Sequence, residues 1–92
     1  MRFVTVPSFE RRFKKLPAFR REAVREAIFQ LVDIVERKAP LRTGLGLKHL
    51  KGNLWEIRST IRDRIVFNFR SDSIELVFVG NHDDIRAFLK QG

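Results

Sequence analysis

Ninety-two residues make one domain, spanning 1–92, with little room for a second. The absence of cysteine excludes a disulfide framework and a thiolate metal site, which fits a reducing compartment. Nineteen Lys and Arg against eleven Asp and Glu give a net charge of +8, which points to a polyanionic partner rather than to solubility alone.

Arg2 to Val6 reads as a short strand that Pro7 ends, and its apolar stretch is far too short for a signal peptide. No segment approaches the roughly 20 apolar residues of a membrane span. A soluble, cytoplasmic protein with no membrane partner is therefore expected. Ser8 can cap a helix starting at Phe9, where Phe9, Phe13 and Leu16 fall at helical spacing. Pro17 separates it from a longer helix, about Ala18 to Lys38, which Pro40 stops. In that helix Val24, Ala27, Ile28, Leu31 and Val35 form a continuous apolar stripe, the pattern of a face packed into a core.

Leu41 to Gly46 reads as a loop, and its Gly44-Leu45-Gly46 lacks the further glycines and following helix of a phosphate-binding loop. Lys48 to Asn53 is a compact basic segment ending in a Gly-Asn turn. Three strands follow, about Leu54–Thr60, Asp63–Arg70 and Ser73–Gly80, with a tight turn at Ser71-Asp72. A helix beginning near Asp83 closes the chain, with Ile85, Phe88 and Leu89 able to pack inward. The predicted class is α+β: an N-terminal strand and a two-helix hairpin packed on a small antiparallel sheet, then a short C-terminal helix.

Alternation along the meander sorts side chains by face. Trp55, Ile57, Ile65, Phe67 and Phe69 are expected to face the helices. Glu56, Arg58 and Arg64 then share the opposite face, with Lys48, His49 and Lys51 entering nearby. The bland account is a solvated face on which Glu56 pairs with an arginine. It explains the whole set less well, because cations outnumber the single carboxylate, and an uncompensated cationic patch suits a phosphodiester backbone. Arginine is also suited to bidentate phosphate contact and to stabilising a pentacovalent transition state. His82 follows Gly80-Asn81 and precedes Asp83-Asp84. Asn81, His82 or Asp83 could simply cap the last helix, or the acidic neighbours could keep His82 protonated as a general acid. Neither histidine has metal-ligand spacing, and no metal or other cofactor is expected.

The run Leu50-Lys51-Gly52-Asn53-Leu54-Trp55-Glu56-Ile57-Arg58 resembles the "L-K-G-x-x-W-E-L-R" stretch of RelE/ParE-superfamily toxins. Asp63-Arg64-Ile65-Val66-Phe67 is similar to that family's "Y-R-hydrophobic-hydrophobic-Y" strand. Val79-Gly80-Asn81-His82-Asp83-Asp84-Ile85 resembles its closing "V-G-x-H/R-x-x-hydrophobic" turn. The element order also agrees, so the resemblance covers essentially the whole chain. It implies a RelE-like fold and the toxin of a toxin–antitoxin pair, a metal-independent endoribonuclease that cleaves mRNA in the ribosomal A site through attack of the 2′-hydroxyl. An acidic antitoxin would be the cognate partner, and operator DNA would be bound only through the toxin–antitoxin complex.

Carried over, Arg64 matches the arginine on the scissile phosphate, and Arg58 matches a cationic position beside it. Lys48 and Lys51 match the basic approach to the site. His82 matches an acid–base histidine of the YafQ-like branch. The resemblance leaves the general base open between His49 and Glu56. Arg62 and Arg86 are further RNA-binding candidates. The family's C-terminal tyrosine is missing, because the chain contains no tyrosine. Arg86 stands roughly in its place, and Phe88 could stack on a base or pack in the core. The alternative within the same resemblance is a ParE-like toxin that inhibits gyrase without nuclease activity.

Overall fold

A computed structural model of the chain describes residues 2–37 and 46–91. The elements are β1 (Arg2–Thr5), α1 (Pro7–Lys15), α2 (Ala18–Glu36), β2 (Leu47–Lys51), β3 (Leu54–Arg58), β4 (Arg64–Phe69), β5 (Ser73–Gly80) and α3 (His82–Gln91). The expected end of the long helix at Lys38 to Pro40 and most of the loop at 41–46 lie outside the described residues. Among the described residues no helix is long and apolar enough to cross a membrane.

Pro7 occupies the first turn of α1, where its missing N–H costs nothing. The helix therefore starts two residues earlier than Ser8 capping would require. The Ser8 hydroxyl instead donates to the Val77 carbonyl at 2.6 Å, tying α1 to β5. Pro17 ends one helix and opens the next, its carbonyl accepting from the backbone N–H groups of Arg20 and Arg21.

The five strands form one sheet in the order β1-β5-β4-β3-β2. β1 lies at an edge, parallel to β5, and the other pairings are antiparallel. The basic segment after Gly46 is thus not a mere approach to the meander. It is a fourth antiparallel strand, turned into β3 by Gly52 at φ +53°. Its lysines break the apolar alternation that reveals a buried strand, and charged residues are common on an edge.

The alternation predicted for the central strands is observed. Ile57, Ile65, Phe67, Ile74, Leu76 and Val79 pack with Phe9, Leu16, Val24, Ala27 and Leu31 of α1 and α2 in one core. α3 lies over β4 and β5 on the other face, where Val66 and Ile85 are buried. A bulge makes this possible: Val66 faces Phe78 and Phe67 faces Leu76, leaving Val77 as the extra residue.

The turn between β3 and β4 is held to α2 by a buried ion pair. Asp63, fully buried, accepts from Arg20 Nε at 2.7 Å and Nη2 at 2.8 Å. That hydrogen bond with Asp63 is the main reason the Arg20 guanidinium is held above its already high pKa, against the opposing effect of burial. The Thr60 hydroxyl also accepts from the backbone N–H groups of Arg62 and Asp63. Replacing Asp63 with alanine strands the guanidinium and should destabilise the fold by about 3 kcal/mol. Urea unfolding measures this, and a loss below about 1 kcal/mol would show that the pair does not brace the turn.

Candidate active site

Residues directly opposite one another in a sheet share a face. Lys48 stands opposite Glu56, Arg58 opposite Arg64, and Arg64 opposite Gly80. Two steps beyond Gly80, His82 begins α3. Strand register and one helix start therefore bring Lys48, Glu56, Arg58, Arg64 and His82 around a single cleft of about 440 Å³, with Gly46 and Leu47 on its rim.

Inside this cleft Glu56 is only 5% exposed. Arg64 Nε lies 3.6 Å from Glu56 Oε1, an ion pair too long for a good hydrogen bond. Among the described residues Arg58 and Lys48 form no ion pair, so three cations face one carboxylate. The excess positive charge lies where an anion can reach it. The cleft is open and polar, and its guanidinium groups match the geometry of phosphate oxygens.

Asn81 is the residue that caps α3. Its Oδ1 accepts from the Asp84 N–H at 2.8 Å, while its own N–H donates to Asp84 Oδ2 at 3.0 Å. With Asn81 and Asp84 making this reciprocal cap, the exposed His82 has no capping duty, and it lines the cleft. Of the two acidic neighbours, Asp84 is engaged by Arg12 at 2.7 Å rather than by His82.

The other candidates lie elsewhere. His49 stands opposite Trp55, on the side of β2 away from Lys48 and Glu56. Its ring packs 4.8 Å from the indole, and its Nε2 sits 2.7 Å from the Gly52 carbonyl oxygen. Of the two candidate bases, the cleft contains Glu56. Lys51 lines a separate, more apolar groove of about 250 Å³ with Leu54, Val77, Phe88 and Leu89. Arg62 lies on the exposed turn after β3, and Arg86 is exposed on α3. Phe88 stacks on Phe78 with ring centroids 4.5 Å apart. One ring face is therefore committed to packing.

Gly46 also lines the cleft, beyond the residues that the sequence points to. Its positive φ of 86° suits glycine, and its carbonyl accepts from the Arg58 N–H at 2.9 Å, extending the β2–β3 ladder to the cleft rim. Among the described residues no group of three His, Cys, Asp or Glu is arranged to hold a metal ion.

No protein-family model matches the chain, and the curated proteins contain no significant match. Solved structures do match. RelE in the RelB–RelE antitoxin–toxin complex of Methanococcus jannaschii aligns over 92% of this chain and 96% of its own, at TM-score 0.67 and 21% identity. The YoeB/ParE toxin of Agrobacterium tumefaciens aligns over 89% and 99%, at 0.65 and 23%. YafQ of E. coli aligns over 92% and 98%, at 0.62 and 11%. The chain has the α+β fold of the RelE-superfamily toxins. Within that fold it is similar to RelE, YoeB and YafQ alike.

If the cleft is the anion site, Arg58→Ala and Arg64→Ala should each weaken binding of single-stranded RNA. Each should also flatten the dependence of log K on log salt by about 0.7. Fluorescence anisotropy across a salt series measures both effects, and an unchanged slope in both variants would place phosphate binding elsewhere.

Proposed function

We propose that this chain is the toxin of a toxin–antitoxin pair and a ribosome-dependent, metal-independent endoribonuclease acting on mRNA in the A site. The observation that carries the reading is the joining of three cations, a buried carboxylate and a histidine around one open cleft. The likeness to solved toxins, including RelE in complex with its antitoxin RelB, supports the same class.

In this reading Arg64 and Arg58 hold the scissile phosphate, and Lys48 draws the strand into the cleft. Glu56 takes the proton of the 2′-hydroxyl as its oxygen attacks the adjacent phosphorus. His82 gives a proton to the departing 5′-oxygen. The products are a 2′,3′-cyclic phosphate and a 5′-hydroxyl, and no water or outside oxidant enters. Arg64 has two roles. Its guanidinium stabilises the charge that grows on the phosphorane, and before RNA arrives it partly neutralises Glu56. Phosphate binding would draw Arg64 toward the substrate and away from Glu56.

The partner implied is an antitoxin that is acidic where it meets the cleft, since opposite charge both steers association and masks the site. Operator DNA would be met only through that complex.

The test uses purified protein and translating ribosomes. The wild-type chain should produce codon-phased mRNA breaks. Arg64→Ala and His82→Ala should each slow cleavage by about 100-fold or more while leaving the circular dichroism spectrum unchanged. Full activity in both variants would remove the assignment of the site. Cleaved DNA–gyrase complexes without mRNA breaks would replace the nuclease reading with gyrase inhibition.

A further inference from the structure

We propose that Arg12, acting through Asp84, is a positioning residue for His82. The inference rests on the reading of His82 as the proton donor, and its grounds lie in the junction between β5 and α3. Gly80 ends β5 opposite Arg64, and His82 starts α3 two residues later. The angle at which α3 leaves the strand therefore decides where the imidazole stands relative to the guanidinium of Arg64.

That angle is held by a side chain from a distant part of the sequence. Arg12 projects from α1, and its guanidinium lies 4.9 Å from the centre of the Phe78 ring. Its Nε donates to the Val79 carbonyl at 3.1 Å, and its Nη2 donates to Asp84 Oδ2 at 2.7 Å. The same Asp84 oxygen accepts the Asn81 N–H, while Asn81 Oδ1 accepts the Asp84 N–H. Residues 79, 81 and 84, which bracket His82, are thus joined through one guanidinium and one carboxylate. Gly80 makes the approach possible. A Cβ there would stand 2.8 Å from Arg12 Nη2 and 2.8 Å from Asp84 Cβ, closer than real contacts allow.

Stability does not account for this arrangement. The Arg12 and Asp84 side chains are 39% and 36% exposed, so solvent screens their attraction and the pair adds little to folding. α1 is already fixed by buried Phe9 and by the Ser8 bond to β5. α3 is already fixed by buried Ile85 and by the Phe78–Phe88 stack. What Arg12 adds is a tie from the last residues of β5 to Asp84, on either side of the backbone from which the His82 imidazole leaves. A displacement of about 1 Å at a reacting group can cost roughly 100-fold in rate.

The test is a double-mutant cycle between Arg12→Met and His82→Ala, read as kcat and KM for mRNA cleavage on ribosomes. Arg12→Met should lower kcat about 10- to 100-fold with KM nearly unchanged. In the His82→Ala background it should have no further effect, and Arg12→Lys should recover part of the loss. Asp84→Asn should behave as Arg12→Met does. Multiplicative losses would show that Arg12 does not act through His82 and would overturn the inference. A second readout is independent of cleavage. The His82 imidazole resonances should shift in Arg12→Met while core methyl resonances stay in place. Unchanged His82 resonances would overturn the positioning role. Absence of cleavage by the wild-type chain would instead overturn the nuclease reading, leaving the resonance test to decide the role of Arg12.

Discussion

The buried pair between Arg20 and Asp63 determines which way the central hairpin faces. Asp63 is turned toward α2 and fully buried there, so the next residue, Arg64, must point to the other side of the sheet. From that point the register runs on, with Arg58 opposite Arg64 and Glu56 opposite Val66. A slip of one residue would drive the arginines into the helical core and expose Ile65 and Phe67. One ion pair at a turn thus helps keep an apolar face and a cationic face apart.

The division between the faces also shapes the cleft. α1 and α2 pack on one side of the sheet, while α3 packs mainly against β5 and β4 on the other. The ends of β3 and β4 that carry Arg58 and Arg64, with Lys48 of β2 and His82 at the start of α3, line the open cleft beside that helix. Glu56 is the exception, a nearly buried carboxylate among cations. Under the proposed function this burial would have a use, since a carboxylate beside Arg64 could exchange partners when a phosphate enters. In that reading the cation paired with Glu56 in the free protein would hold the substrate in the complex.

Much of this was legible in the sequence because strand alternation is a local property. Ile57, Ile65 and Phe67 identify the core face, and Arg58 and Arg64 follow on the other. His49 escapes the same logic, since the lysines of Lys48–Lys51 hide the alternation of a strand. Once β2 exists, adjacent residues 48 and 49 must point opposite ways, and only Lys48 reaches Glu56. The fate of Phe88 depended on the bulge at Val77, which helps bring Phe78 beneath α3 and leaves no mark in composition or spacing. The bond between Arg12 and Asp84 spans 72 positions of sequence, and nothing local announces it. The histidine was visible, but the guanidinium bonded across its junction was not.

Under the proposed function the cleft bearing Arg58, Arg64 and His82 receives an RNA backbone at the bond to be broken. The most direct measurement is a titration of isotope-labelled protein with a short RNA in which one 2′-hydroxyl is replaced by hydrogen, so that it binds without being cut there. Amide and side-chain resonances of Lys48, Glu56, Arg58, Arg64 and His82 should move together and saturate at one affinity. Shifts confined to the groove between Leu54 and Leu89, or to the outer face of α2, would contradict the account.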